Sequence, residues 1–238
     1  MPTVASILAE LKKKGTARTR KTYAHHGMAP EHTFGASMAD IKKLAKAIKG
    51  QQDLACELYA SGKMEAMYLA ALVANGAQLT AKELDQWADA ASDLPLIADY
   101  ALPWVATENP KGRELALKWM KSKKEMVACS GWATYTVMAA TVSDDALDVR
   151  EIENLLQAVE REIHTAPNRV RLKMNSFVIA VGSHVKPLHD RAKAAAKKIG
   201  SVIADMGDTE CKIPSATEYI ERVAAKGRVG QKRKEIRC

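Results

Sequence analysis

Two carboxylates and a set of evenly spaced cations are the residues here whose types and spacing could do chemistry. Asp93 and Asp99 flank Leu94-Pro95-Leu96-Ile97-Ala98. A carboxylate so placed could stabilise an oxocarbenium-like sugar cation and orient water during cleavage of a glycosidic bond. Asp93 equally suits the cap of a helix that begins near Pro95. Lys42, Lys43 and Lys46 stand three and four apart, which holds two or three ammonium groups on one helix face where a phosphate backbone could run. Arg169, Arg171 and Lys173 surround a helix start, whose free N–H groups favour anions further, and Arg191, Lys193, Lys197 and Lys198 decorate the following helix. One such cluster is ordinarily a solvated face, whereas several in one stack point to a polyanion.

Aromatic residues are few. Trp87 and Trp119 fall in apolar helical periodicity and belong to the core. Trp132 and Tyr135 lie three apart after Ser130-Gly131, a spacing that can present two rings to a cleft for stacking on a base; burial in the core is the competing expectation for rings of that size. The histidines do not suggest a metal: His25, His26 and His32 fall in a polar stretch, and His184 and His189 are five apart rather than four. Cys56, Cys129, Cys211 and Cys238 have neither zinc spacing nor disulfide density, which fits a reducing cytosol, and Cys211 has no base beside it in sequence. Nucleophile elbows, Walker loops and dinucleotide turns are absent, so no cofactor is expected.

These side chains need helices to position them. Ala, Leu, Lys, Glu and Met dominate, and strand-like alternation is rare. Ser37-Met38-Ala39-Asp40 and Thr80-Ala81-Lys82-Glu83 read as capping boxes, Asn109-Pro110 as a third start, and Gly50, Gly62, Gly76, Gly200 and Gly227 as stops. The pattern predicts helices over roughly 3–14, 38–49, 52–61, 63–75, 80–91, 94–107, 110–121, 123–142, 148–164, 168–183, 187–204 and 214–226. Short links force antiparallel pairs recurring about every 35–40 residues, the rhythm of an all-α, right-handed superhelix of HEAT-like repeats; a compact irregular bundle is the alternative. One domain over 1–226 and an unstructured basic tail over 227–238 are expected. The 238 residues carry a formal net charge of +8, which attracts phosphates only if it gathers on one face. The charged N-terminus does not read as a signal peptide and no stretch reads as a membrane span, so a cytoplasmic monomer is expected.

Phe34-Gly35-Ala36-Ser37 followed by Ile41-Lys42-Lys43-Leu44-Ala45-Lys46, together with Met64-Glu65-Ala66-Met67-Tyr68-Leu69-Ala70-Ala71, resembles the DNA alkylation-repair proteins of the AlkD type over residues of about 30 to 200. The resemblance implies a solenoid whose concave face holds duplex DNA, alkylated or branched. Active members are DNA glycosylases that excise cationic N3- or N7-alkylpurines using cleft aromatics, an aspartate and an arginine. On that footing Asp99 takes the aspartate's place and Phe177 that of a later aromatic. Trp132 and Tyr135 join Phe177 against the lesion, while Lys42, Lys43, Lys46, Arg169, Arg171 and Lys173 neutralise phosphates. The expected tryptophan falls near Pro95 and the expected arginine on Tyr135, so two elements of that cleft are replaced. The alternative is a non-catalytic scaffold for structured DNA or a protein partner.

Overall fold

Among residues 2–205, 209 and 212–237, which the computed structural model describes, the chain forms thirteen α-helices and no strand. The first five are α1 (Val4–Lys14), α2 (Ala17–His25), α3 (Met38–Ala47), α4 (Gln52–Ala60) and α5 (Met64–Val73). Next come α6 (Ala81–Ala90), α7 (Leu102–Glu108), α8 (Gly112–Met120) and α9 (Glu125–Thr141). The last four are α10 (Val149–Glu162), α11 (Asn168–His184), α12 (His189–Ile199) and α13 (Ala216–Ala225). None is long and apolar enough to cross a membrane.

Local chemistry sets the starts. Ser37 accepts from the Asp40 amide, and Thr80 and Glu83 close a reciprocal capping box. Asn109 does not behave as expected: α8 begins only at Gly112, and Asn109 instead donates to the carbonyls of Gly76 and Leu79 at 2.8 and 2.6 Å. Gly76 likewise ends no helix. It lets two backbones meet, since a Cβ there would stand 1.9 Å from the Val105 oxygen.

The helices stack in two rows. The outer row is α4, α6, α8, α10 and α12; the inner row is α5, α7, α9, α11 and α13. Outer helices such as α10 bury a single stripe, Ile152, Leu156 and Val159. Inner helices are packed on three sides, by their outer partner and two inner neighbours, so α5 and α9 are apolar almost all round. One stripe of each is left to face a groove. Gly131 permits this layering, because a Cβ there would lie 2.5 and 2.6 Å from the Met120 nitrogen and Ala116 oxygen of α8.

The two segments that carry the family resemblance meet in space. Glu65, fully buried on α5, accepts through Oε1 from the Thr33 hydroxyl and the Gly35 and Ala36 amides at 2.6, 2.6 and 3.2 Å. One carboxyl oxygen therefore moors the turn ahead of α3. The turn also receives α2, a helix not anticipated from sequence: Tyr23 donates to the Ala36 carbonyl and Arg20 to that of Phe34.

The segment after α13 differs from expectation as well. It has no helix, yet it is not a free tail; its backbone and side chains bond to the ends of several inner helices.

Candidate nucleic-acid interface

Pro103 shapes the centre of the inner row. It lies in the first turn of α7 and has no N–H to offer the Asp99 carbonyl, so the preceding turn widens into a π-helical stretch, Ile97–Ala101, in which the Leu102 amide bonds to the Ile97 oxygen. The extra residue turns Asp99 and Tyr100 together into the groove.

The groove encloses about 510 Å³. Its floor includes Tyr68, Trp104, Asp99 and Lys173, and α9 contributes Ala133, Thr136, Val137 and Ala140 at helical spacing. Tyr68 and Trp104 meet edge to face with ring centroids 5.4 Å apart. Tyr100 and Tyr219, 51% and 42% exposed, keep large ring surfaces open to solvent. Both line the groove, and neither is among the site candidates that residue type and spacing single out. Tyr100 follows Asp99 directly and Pro103 is the local signal for the bulge; Tyr219, on a short late helix, carries no such mark.

Asp99 is tightly held. Its side chain is 3% exposed, and Oδ2 lies 3.1 Å from both Arg169 and Lys173. Two cations thus surround one carboxylate, leaving the cluster formally positive. The Lys173 ammonium also sits 4.7 Å from the centroid of Tyr100, on one face of that ring. Oδ1 of Asp99 is buried and has no hydrogen-bond partner among the described residues. Burial, assisted by the Asp99 charge, pushes the Cys129 thiol well above its ordinary range and removes it as a nucleophile.

Several expected positions prove to be elsewhere. Trp132, Tyr135 and Phe177 are 4%, 1% and 0% exposed, and Trp132 and Tyr135 each pack edge to face on Phe177, with centroids 5.4 and 5.8 Å away. They form the joint between α9 and α11 and cannot stack on a base. The Tyr135 hydroxyl donates to Glu151, itself held by Arg113, on the outer side. Arg171 is occupied structurally, donating to the carbonyls of Ala166 and Ile203. Lys42, Lys43 and Lys46 are exposed on α3, and none lines the groove; Asp93 is exposed outside it. Among the described residues, Lys173 and Arg233 are the lysine and arginine that line the groove, Arg233 coming from the C-terminal segment, and Arg169 reaches it through Asp99. His184 lines it too, with its imidazole held below its usual pKa by burial. Cys211 lies outside the described residues.

Comparison with known proteins gives this architecture a context. A solved structure described as a new family of proteins related to the HEAT-like repeat DNA glycosylases, with affinity for branched DNA structures, superposes with a TM-score of 0.90 at 32% identity, covering 100% of both chains. The fold is therefore the HEAT-like repeat superhelix. Uncharacterized protein Lin0241 of Listeria innocua is 29% identical over 225 residues, 93% of this chain and 97% of its own length. Uncharacterized protein Lmo0209 of Listeria monocytogenes is 28% identical over the same span. The model of the DNA alkylation repair enzyme family matches residues 7–220, and with an inner row built around Asp99 and a groove along it, the chain belongs to that family.

Proposed function

We propose that this protein binds DNA at branch points, as a single copy, and releases no base. The observation that carries this reading is the pair of half-exposed tyrosines, Tyr100 and Tyr219, on an amphipathic groove of about 510 Å³. Duplex ends and junctions offer unstacked bases that a regular helix hides, and a tyrosine face accepts any of them, at about 1–3 kcal/mol per stacked base. The surplus of eight positive charges supplies phosphate attraction without sequence preference. The relative described as having affinity for branched DNA structures supports the same choice.

Base excision is the weaker reading for a physical reason. A carboxylate must present uncompensated negative charge to a developing sugar cation. Asp99 instead faces two cations at 3.1 Å, and the rings expected to hold a lesion are sealed between α9 and α11. The lysines of α3 stay in this reading as outer phosphate contacts.

The test compares a four-way junction with a duplex of equal length by fluorescence anisotropy across a salt series. Tighter junction binding, lowered about tenfold or more by Tyr100→Ala with Tyr219→Ala, is the expected result. Equal affinity for both DNAs, untouched by the double substitution, would remove the basis for branch recognition.

A further inference from the structure

The ten residues Arg228 to Arg237 contain five cations and one carboxylate, Glu235. They run along one rim of the groove, meeting the C-terminal ends of the inner helices in turn. The Gly230 amide donates to the Ser183 carbonyl at 2.9 Å, and the His184 imidazole donates through Nδ1 to the Gln231 carbonyl at 2.6 Å, both at the end of α11. At the end of α9, the Arg233 amide reaches the Ala140 carbonyl at 2.8 Å and the Lys232 ammonium that of Ala139 at 3.0 Å. Arg237 then bonds to the Ala74 carbonyl closing α5 and to Glu108 at the end of α7. Helix C-termini expose carbonyls that lack intrahelical donors and carry partial negative charge, so a basic extended chain is well matched to this rim.

The side chains divide by role. Lys232 and Arg237 are drawn inward and paired with Asp144 and Glu108. Arg228, Arg233 and Lys234 are exposed, and among the described residues none of the three makes an ion pair within 4.0 Å. Arg233 and Ile236 both line the groove, and Ile236 also packs against the core. The anchors thus fix the backbone while the other cations stay available.

We propose that residues 228–237 are a built-in nucleic-acid strap, in which Arg228, Arg233 and Lys234 contact the phosphates of a DNA strand whose bases lie over the groove. The proposal rests on the DNA-binding reading and adds phosphate contacts at the groove itself, which the lysines of α3 do not line. Burial of a chain segment on a binding surface could also mean a lid that nucleic acid must displace, and the two differ in sign.

The experiment uses the full chain and the triple variant Arg228→Ser, Arg233→Ser, Lys234→Ser, with a fluorescent four-way junction titrated at several salt concentrations. Loss of three phosphate contacts lowers the slope of log K against log salt by about 2 to 3. Affinity at low salt falls on the order of tenfold to a hundredfold, and the gap narrows as salt rises. A thermal melt coincident with that of the wild type separates this from misfolding. Hydrogen exchange at Gly230 and Arg233 reports the strap directly: protection is retained when the junction binds. Unchanged affinity and slope in the triple variant, beside steep salt dependence in the wild type, overturns the strap and leaves the DNA reading standing. Tighter binding by the variant, or loss of protection on adding DNA, overturns it in favour of a lid. If the wild type binds no DNA at any salt, the underlying reading fails and the strap falls with it.

Discussion

Replacing Asp99 by Asn isolates the charge cluster at the groove floor. The substitution keeps the side chain's shape and removes the only carboxylate, among the described residues, within 4.0 Å of Lys173, whose own side chain is 6% exposed. Lys173 and Arg169 then face each other with no anion between them. Arg169, 29% exposed, can swing towards water, but Lys173 cannot do so without abandoning Tyr100. Breaking a buried pair from one side costs about 3–5 kcal/mol, because the surviving charge is left uncompensated. For a chain of this length that corresponds to a fall in melting temperature of roughly 6–20 °C. Adding Lys173→Met removes the stranded charge and fills its volume with an apolar chain, so the double variant recovers most of the loss. Circular-dichroism melts of the wild type, both single variants and the double variant close the cycle. Additive effects, or an Asp99→Asn variant that melts with the wild type, would refute the picture of Asp99 as a structural counterion.

Three further outcomes follow from other contacts. Incubation with alkylated duplex releases no free alkylpurine from wild type or Asp99→Asn above a no-enzyme control, as read by chromatography; release by the wild type alone would restore Asp99 to catalysis. Gly131→Val forces a side chain against the backbone of α8 at 2.5 and 2.6 Å and lowers stability by about 1–3 kcal/mol in urea unfolding, with unaltered stability the contrary result. Arg113, and after it the Tyr135 hydroxyl, hold the Glu151 carboxyl below its usual range. A depressed folded pKa stabilises above the unfolded value of about 4.3 and is lost as pH falls through the folded one, so the advantage of wild type over Arg113→Ala is full above about pH 5 and fades below it. Arg113 is half exposed, which limits that advantage to about 1 kcal/mol; a difference independent of pH would exclude the linkage.

The fold was legible where local signals and tertiary packing agree. Ser37, Thr80 and Glu83 cap where their spacing predicted, and amphipathic stripes such as that of α10 mark the outer row. α2 escaped because Ala17–His25 is nearly all polar and buries little but Tyr23; tertiary bonds from Tyr23 and Arg20 hold it. Groove residues were harder to read for a geometric reason. An inner helix surrounded on three sides has no clear polar face, so periodicity could not tell the stripe Ala133, Thr136, Val137 and Ala140 from the buried pair Trp132 and Tyr135. Asp99 drew notice for its chemistry, but the cations that neutralise it lie about seventy residues later in sequence. The C-terminal segment read as disordered because its partners are helix-end carbonyls, which leave no trace in composition.

Base stacking in the groove is tested most directly by placing 2-aminopurine at the branch point of a four-way junction and following its fluorescence on binding. Binding of the wild type is expected to quench the probe as it stacks on a tyrosine ring, and that quenching is lost with Tyr100→Ala and Tyr219→Ala combined, even at saturating protein. Identical quenching by both proteins, or none by either with the junction fully bound, would contradict it.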